Sequence, residues 1–147
     1  RIAYCKVHHP REYYAAFFTI KCGDFDVSYV MDGQAKVIEH IERLEAIGPK
    51  MSATEKGLLT VLELVMEMFA RGIDFLPVDL RKSKAKQFTV EDGSIRLPFM
   101  AIPKLGEKAA EALEYEAAQF GLVFSTEDMR EGTRAFLERR KPAFTGR

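Results

Sequence analysis

A short segment in the second half of the chain combines the residues that a phosphate-binding turn requires. Residues 99–102 are apolar, Pro103 to Gly106 give a tight-turn signal, and residues 107–110 begin a helical pattern. A turn that leads into a helix directs backbone N–H groups and the positive end of the helix dipole at whatever lies in front of it. Phosphate oxygens suit that position. An ordinary helix–turn connection is the alternative, because short motifs match by chance.

Basic residues concentrate around this turn. The whole chain carries 22 basic and 22 acidic side chains, whereas residues 76–110 carry seven basic and four acidic ones. An extended conformation of residues 81–86 would place three lysines on one side, and such a row matches a phosphate backbone. A solvated loop is the alternative. The DNA-binding residues predicted from the turn and the basic region are Arg81, Lys82, Lys84, Lys86, Arg96, Lys104, Leu105, Gly106 and Lys108.

Other candidates for chemistry are weaker. Cys5, His8, His9 and Cys22 could suggest zinc, but their spacing fits no paired-ligand pattern. We therefore expect core cysteine and surface histidine, and no metal site. The chain has no GxSxG, P-loop, GxGxxG or HExxH motif. We accordingly predict no catalytic residues and no cofactor.

Two further groups of side chains have an ordinary structural interpretation. Tyr13, Tyr14, Phe17 and Phe18 could stack on bases, but their helical spacing is more typical of a core-facing stripe. The acidic residues at positions 24, 26 and 32 could be imagined as metal ligands. Because apolar residues alternate with the first two, a solvated strand or loop edge is favoured.

Composition places the chain among ordinary globular proteins. Its 147 residues are 47% hydrophobic and 30% charged, and no apolar run approaches the length of a membrane span. Two cysteines cannot form a disulfide framework, so a reducing compartment, the cytoplasm, is expected. The chain starts at Arg1 in what looks like the interior of an element, which suggests a fragment of a longer protein.

The first half of the sequence predicts helices. One carries the aromatic stripe and ends at Gly23, and a second is capped by Asp32 and stops at Gly48-Pro49. A third begins with a capping box formed by Ser52 and Glu55 and ends at Gly72.

The second half predicts a small β component followed by helices. An edge strand over residues 75–80 precedes a hairpin whose strands, 87–90 and 95–97, flank a four-residue loop. A helix then runs from Glu107 to about Gln119, and a last one, capped by Ser125 and Asp128, reaches Arg140. The predicted class is mainly α (α+β), with segments 1–75, 76–112 and 113–147.

Several collinear segments resemble a known family. Residues 1–10, 13–19, 56–63, 78–83 and 98–106 strongly resemble the late fingers region of bacterial C-family replicative DNA polymerases of the PolC type. The resemblance covers about residues 1–112. It implies the end of the fingers followed by a duplex-binding region whose helix-hairpin-helix holds the DNA backbone. That family usually has glycine where this chain has Lys104, and a non-glycine residue costs about 1–2 kcal/mol if φ there is positive.

The last third resembles a different family. Residues 114–142 and 144–147 are similar to the C-terminal end of enoyl-CoA hydratases of the crotonase family. In that family the tail is helical and helps oligomers pack, while the catalytic glutamates and oxyanion-hole amides lie in segments absent here. The combination suggests a chimera joined near residues 107–114.

These patterns lead to one principal functional expectation and one alternative. The first is a non-catalytic polymerase fragment that binds duplex DNA backbone weakly, without sequence specificity, and more weakly as salt rises. It would lack nucleotide transfer, because the family's catalytic aspartates belong to the palm. The alternative is a fused or recombinant structural chimera without native activity, self-associating through residues 113–147. No membrane partner is expected.

Overall fold

The fold is mainly helical with one small sheet, as the sequence predicts. A computed structural model describes residues 2–146, apart from the side chains of residues 123–125. Within that range the helices are α1 (Ile2–His8), α2 (Pro10–Ile20), α3 (Gln34–Glu45), α4 (Ala53–Ala70), α5 (Glu107–Ser125) and α6 (Glu127–Leu137). The strands are β1 (Phe75–Leu76), β2 (Thr89–Glu91) and β3 (Ser94–Arg96). Of the described helices, none is both long and apolar enough to cross a membrane.

The aromatic stripe of α2 lies at the centre of the core, which confirms the structural interpretation over base stacking. Tyr14 and Phe18 are fully buried, and Tyr13 and Phe17 pack against them partly buried. The Phe18 ring lies 5.6 Å from the ring of Phe88, a residue that follows β1 in the chain. The core runs from Tyr14 to Ala101, so the predicted boundary at residue 75 passes through one continuous core.

Helix α4 forms as its local sequence predicts. The Ser52 hydroxyl accepts a hydrogen bond from the Glu55 N–H at 3.2 Å, and the Glu55 carboxylate accepts one from the Ser52 N–H at 2.7 Å. These reciprocal bonds form the predicted capping box and satisfy two N–H groups that the helix leaves unpaired. At the other end Gly72 adopts φ +72°, the left-handed conformation that terminates many helices.

The start of α3 differs from the prediction. Asp32 was expected to cap this helix, but the cap position is Gly33, with φ +90° and no side-chain hydrogen bond. Asp32 lies one residue too early for its carboxylate to accept from the first turn. In the same region the acidic loop near Asp24 and Asp26 forms two short 3₁₀ turns, in which Asp26 accepts hydrogen bonds from Ser28.

The sheet has the order β1–β3–β2, with β1 parallel and β2 antiparallel to β3. The predicted hairpin is present, but the four-residue loop is wrong. Glu91 pairs with Ser94, so the turn contains only Asp92 and Gly93, with φ +50° and +83°. Two successive positive φ values define the type I′ turn that matches the twist of a hairpin. As predicted, β1 is an edge strand, but it ends at Leu76 and not at residue 80, and Pro77 follows it directly.

The C-terminal helices differ from the prediction at three ends. Helix α5 does not end near Gln119 and continues to Ser125. The cap of α6 is Thr126, whose hydroxyl accepts from the Met129 N–H, and not Ser125. Helix α6 ends at Leu137 and does not reach Arg140, because Arg139 turns to φ +52°.

A Schellman motif produces the early end of α6. The Arg140 N–H donates to the Ala135 carbonyl at 3.0 Å, and the Arg139 N–H donates to the Phe136 carbonyl at 3.3 Å. This is the usual pattern of that motif, here built on an arginine where glycine is usual.

Candidate nucleic-acid interface

The predicted turn and helix start are both present at residues 102–110. Phe99–Ala101 form a single 3₁₀ turn, and the Ile102 carbonyl then accepts the Leu105 N–H at 3.2 Å. Pro103 occupies the second position of this turn and Lys104 the third, with φ +64°. Proline followed by a positive φ is the type II arrangement, which favours glycine at the third position. The family glycine expected at Lys104 therefore corresponds to a left-handed backbone.

The turn leads directly into α5. The Gly106 carbonyl accepts the Ala110 N–H at 3.0 Å, the first hydrogen bond of the helix. The N–H groups of the first helical turn have no hydrogen-bond acceptor within the helix, and they point outward along its axis. Residues 106–109 are exposed, as are Pro103 and Lys104. We call this exposed segment, residues 102–109, the hairpin tip.

A second, smaller hydrophobic cluster holds the hairpin tip in place from below. Phe99, before the turn, and Ala110, in α5, are fully buried, and Ala85 belongs to the same cluster. Leu105 and Leu113 cover the cluster, each partly buried. Leu105, a predicted DNA-binding residue, therefore serves chiefly to anchor the turn, while the backbone beside it stays exposed.

Residues 81–86, which we call the basic segment, show the predicted alternation. Lys82, Lys84 and Lys86 are exposed, whereas Ser83 and Ala85 between them are buried. The Ser83 hydroxyl donates to the Leu97 carbonyl at 2.7 Å and accepts from the Asp79 N–H at 2.9 Å, which fixes the segment against β3. The three lysines consequently project to solvent from an anchored backbone.

Each of these lysines is paired with a glutamate, which sequence reasoning missed. The ammonium–carboxylate distances are 2.5 Å for Lys82–Glu91, 3.3 Å for Lys84–Glu114 and 2.6 Å for Lys86–Glu107. The hydrogen bond that Lys82 donates to Glu91 raises the pKa of Lys82, and the one that Lys86 donates to Glu107 raises the pKa of Lys86. Lys84 and Lys86 find partners 30 and 21 residues away, a distance at which no local pattern indicates pairing.

The Arg96 side chain is buried and links the ends of β1 and β2. Its side chain is 10% exposed, lies 2.7 Å from a Glu91 oxygen and donates to the Pro77 carbonyl at 2.9 Å. Glu91 thus joins Arg96 to Lys82, and the ends of β1 and β2 are linked through one guanidinium. These contacts occupy Arg96 within the protein and leave little of it for a phosphate.

The remaining predicted cations are unpaired. Among the described residues, no carboxylate forms an ion pair with Arg81, Lys104 or Lys108. Lys104 and Lys108 belong to the hairpin tip. Arg81 lies outside the hairpin tip, where it and Leu80 line an open groove of about 930 Å³ together with Leu113 and Ala117 of α5.

The two cysteines occupy different environments. Cys22 lies in the core, 2% exposed, and burial raises the pKa of its thiol to about 11. Cys5 was expected in the core but is exposed on α1, where the Tyr4 ring lies 4.3 Å from the His8 ring at a tilt of 37°. Within residues 2–146, no three histidine, cysteine or acidic side chains are grouped so as to hold a metal ion.

Comparison with known proteins also identifies a helix-hairpin-helix motif in this part of the chain. A family model described as a helix-hairpin-helix motif matches residues 72–141, which include the sheet, the basic segment, the hairpin tip and α6. The chain is also similar to DNA polymerases III of the PolC type. It is 42% identical over 130 residues to the Clostridium perfringens protein and 43% identical over 129 residues to that of Bacillus subtilis.

These matches cover most of this chain and little of each relative. Both include 88% of the chain but 9% of the relative, and a third, from Thermotoga maritima, is 44% identical over 77% of the chain and 8% of the relative. The chain thus spans less than a tenth of the length of the curated relatives it matches. The motif match crosses residues 107–114, where the sequence predicted a join, and gives no support to a crotonase-like tail.

Proposed function

We propose that this chain forms the duplex-binding part of a PolC-type replicative polymerase and contacts the DNA backbone without reading its sequence. The chain would contribute no catalytic group to nucleotide transfer. Binding would take place at the hairpin tip, with the basic segment adding charge beside it.

One observation carries this proposal: the left-handed Lys104 turns the chain so that the start of α5 stands exposed at the end of the hairpin. The unpaired N–H groups of that helix start and the positive end of its dipole suit an anionic oxygen. Lys104 and Lys108 add two ammonium groups without ion-pair partners among the described residues. Backbone donors together with flexible cations recognise phosphate and carry no information about the base sequence.

The number of available cations sets the expected salt dependence. Three unpaired cations, Arg81, Lys104 and Lys108, would release about three counterions and give a slope of log affinity against log salt near −2.7. That slope corresponds to a loss of roughly 40-fold between 50 and 200 mM salt. If Lys82, Lys84 and Lys86 also contact phosphates, the slope of log affinity against log salt becomes about −5.4.

A charge-matched pair of variants tests the location of the site. The double variant Lys104→Ala/Lys108→Ala removes two charges from the hairpin tip, and Lys50→Ala/Lys56→Ala removes two exposed charges at the start of α4. In fluorescence anisotropy titrations of a labelled duplex, we expect the hairpin variant to flatten the salt slope by about 1.8 and the control to leave it unchanged. Equal slopes for the two variants would place the site elsewhere.

Self-association through the C-terminal segment is a second candidate function. On α6 the side chains of Phe136 and Leu137 are 83% and 75% exposed, which is unusual for neighbouring large apolar residues. A second copy of the chain could cover them. Sedimentation equilibrium of the Phe136→Ser/Leu137→Ser variant beside the unsubstituted chain tests this proposal, since a strict monomer in both cases would exclude it. A recombinant or fused origin of the segment stays a prediction.

A further inference from the structure

The basic segment contacts the chain on both sides of the hairpin tip, the 3₁₀ turn before it and α5 after it. The Phe99 N–H donates to the Lys84 carbonyl and the Met100 N–H to the Ala85 carbonyl, each at 2.9 Å, which ties the segment to the 3₁₀ turn. On α5, a Glu114 carboxylate oxygen accepts the Ala85 N–H at 2.5 Å. The segment is therefore held across the hairpin by backbone hydrogen bonds on one side and a side chain on the other.

Two glutamates of α5 bind the lysines of the same segment. Glu107 and Glu114 are seven residues apart, so they project from the same face of the helix two turns from each other. Glu107 pairs with Lys86 and Glu114 with Lys84, and we call this arrangement the acidic clasp. Both lysines and Glu107 are more than half exposed, so these ion pairs lie in water and exchange partners readily.

We propose that the acidic clasp competes with DNA phosphate for Lys84 and Lys86, and that Glu114 also positions the basic segment through the Ala85 N–H. This inference rests on the proposed function. While the clasp is closed, Lys84 and Lys86 stay on the carboxylates and do not reach phosphate, and the Ala85 hydrogen bond keeps the segment beside the hairpin tip. The two glutamates would thereby determine how many lysines can contact DNA phosphates.

Variants of one helix face separate the clasp from a general charge effect. Glu107→Gln and Glu114→Gln each remove one negative charge and release one lysine. Glu111→Gln removes the same charge from the position between them, and Glu111 is exposed without an ion pair among the described residues. We expect each clasp variant to steepen the salt slope by about 0.9, so that the loss of affinity between 50 and 200 mM salt grows about 3.5-fold. Glu111→Gln should leave the slope unchanged.

A second-site substitution tests whether the effect passes through the named lysine. In a Lys86→Ala background, Glu107→Gln should no longer change the salt slope, because the lysine it releases is absent. The positioning role of Glu114 has its own readout. A glutamine at position 114 can still accept the Ala85 N–H, so hydrogen exchange at Ala85 should stay slow in Glu114→Gln and become fast in Glu114→Ala.

The outcomes separate this inference from the proposed function. If the unsubstituted chain binds DNA and the clasp variants behave like Glu111→Gln, the clasp is refuted and the function stands. If only the double variant Glu107→Gln/Glu114→Gln binds, competition is confirmed, and the chain as it stands is held inactive by it. If neither binds at 50 mM salt, both proposals are refuted. Fast exchange at Ala85 in the unsubstituted chain would refute the positioning role alone.

Discussion

Replacing Lys104 with glycine should stabilise the protein, because the third position of the hairpin turn has φ +64°. A side chain in the left-handed region costs about 1–2 kcal/mol relative to glycine. Glycine in turn loses about 0.5–1 kcal/mol through the greater freedom of the unfolded chain. Since Lys104 is exposed and forms no ion pair with a described residue, few contacts are lost. At the midpoints of these two ranges, the difference is a gain of about 0.75 kcal/mol.

Urea unfolding followed by circular dichroism measures this gain, with Lys104→Ala as the matched control. Alanine removes the charge and the aliphatic stem but keeps the Cβ atom that makes the left-handed conformation costly. We therefore expect the free energy of unfolding to rise in Lys104→Gly and to change little in Lys104→Ala. A gain of equal size in both variants, or a loss in the glycine variant, would refute the assignment of strain to the turn.

The same two variants should behave alike toward DNA. Both lack the ammonium group, so both should flatten the salt slope of duplex binding by about 0.9. Stability and binding thus separate the two properties of position 104, its backbone conformation and its charge. A slope preserved in the glycine variant would show that Lys104 does not contact phosphate.

Three further predictions concern stability and thiol reactivity. Ser52→Ala removes half of the capping box and should lower the free energy of unfolding by about 1 kcal/mol in urea titrations. Arg140 holds the pKa of Glu131 at about 2, so the unfolded chain binds a proton there more readily below pH 4.5. That contribution is complete above pH 4.5 and is lost as pH falls toward 2; Glu131→Gln should show a smaller drop in stability between pH 6 and pH 3. Iodoacetamide should modify Cys5 alone in the native protein and also Cys22 in urea, because Cys22 is buried.

Local signals predicted the elements whose cause is local. The capping box at Ser52 and the left-handed end at Gly72 require only residues within one helical turn, and both form as expected. The predicted cap at Asp32 is wrong, although its signal is also local. Gly33 lies between Asp32 and the helix and supplies the sharp change of direction instead. Competing caps one residue apart cannot be ranked without knowing where the preceding chain comes from.

Long-range pairing limited the prediction of the site. The alternation of exposed lysines could be read from the sequence, but their partners Glu107 and Glu114 lie on a helix that the fold alone brings near. Arg96 resembled a surface cation because nothing in its neighbourhood indicates that the Pro77 carbonyl would approach it. The positive φ of Lys104 was accessible only through a family resemblance, since lysine itself gives no such signal.

The salt dependence of duplex binding by the unsubstituted chain is the most direct test of contact between the hairpin tip and the DNA backbone. Affinity should be measured by anisotropy from 50 to 200 mM salt on two duplexes of equal length and unrelated sequence. We expect equal affinities for the two duplexes and a slope between about −2.7 and −5.4, set by three to six phosphate contacts. Absence of binding at 50 mM salt, a slope near zero, or a strong preference for one duplex would contradict it.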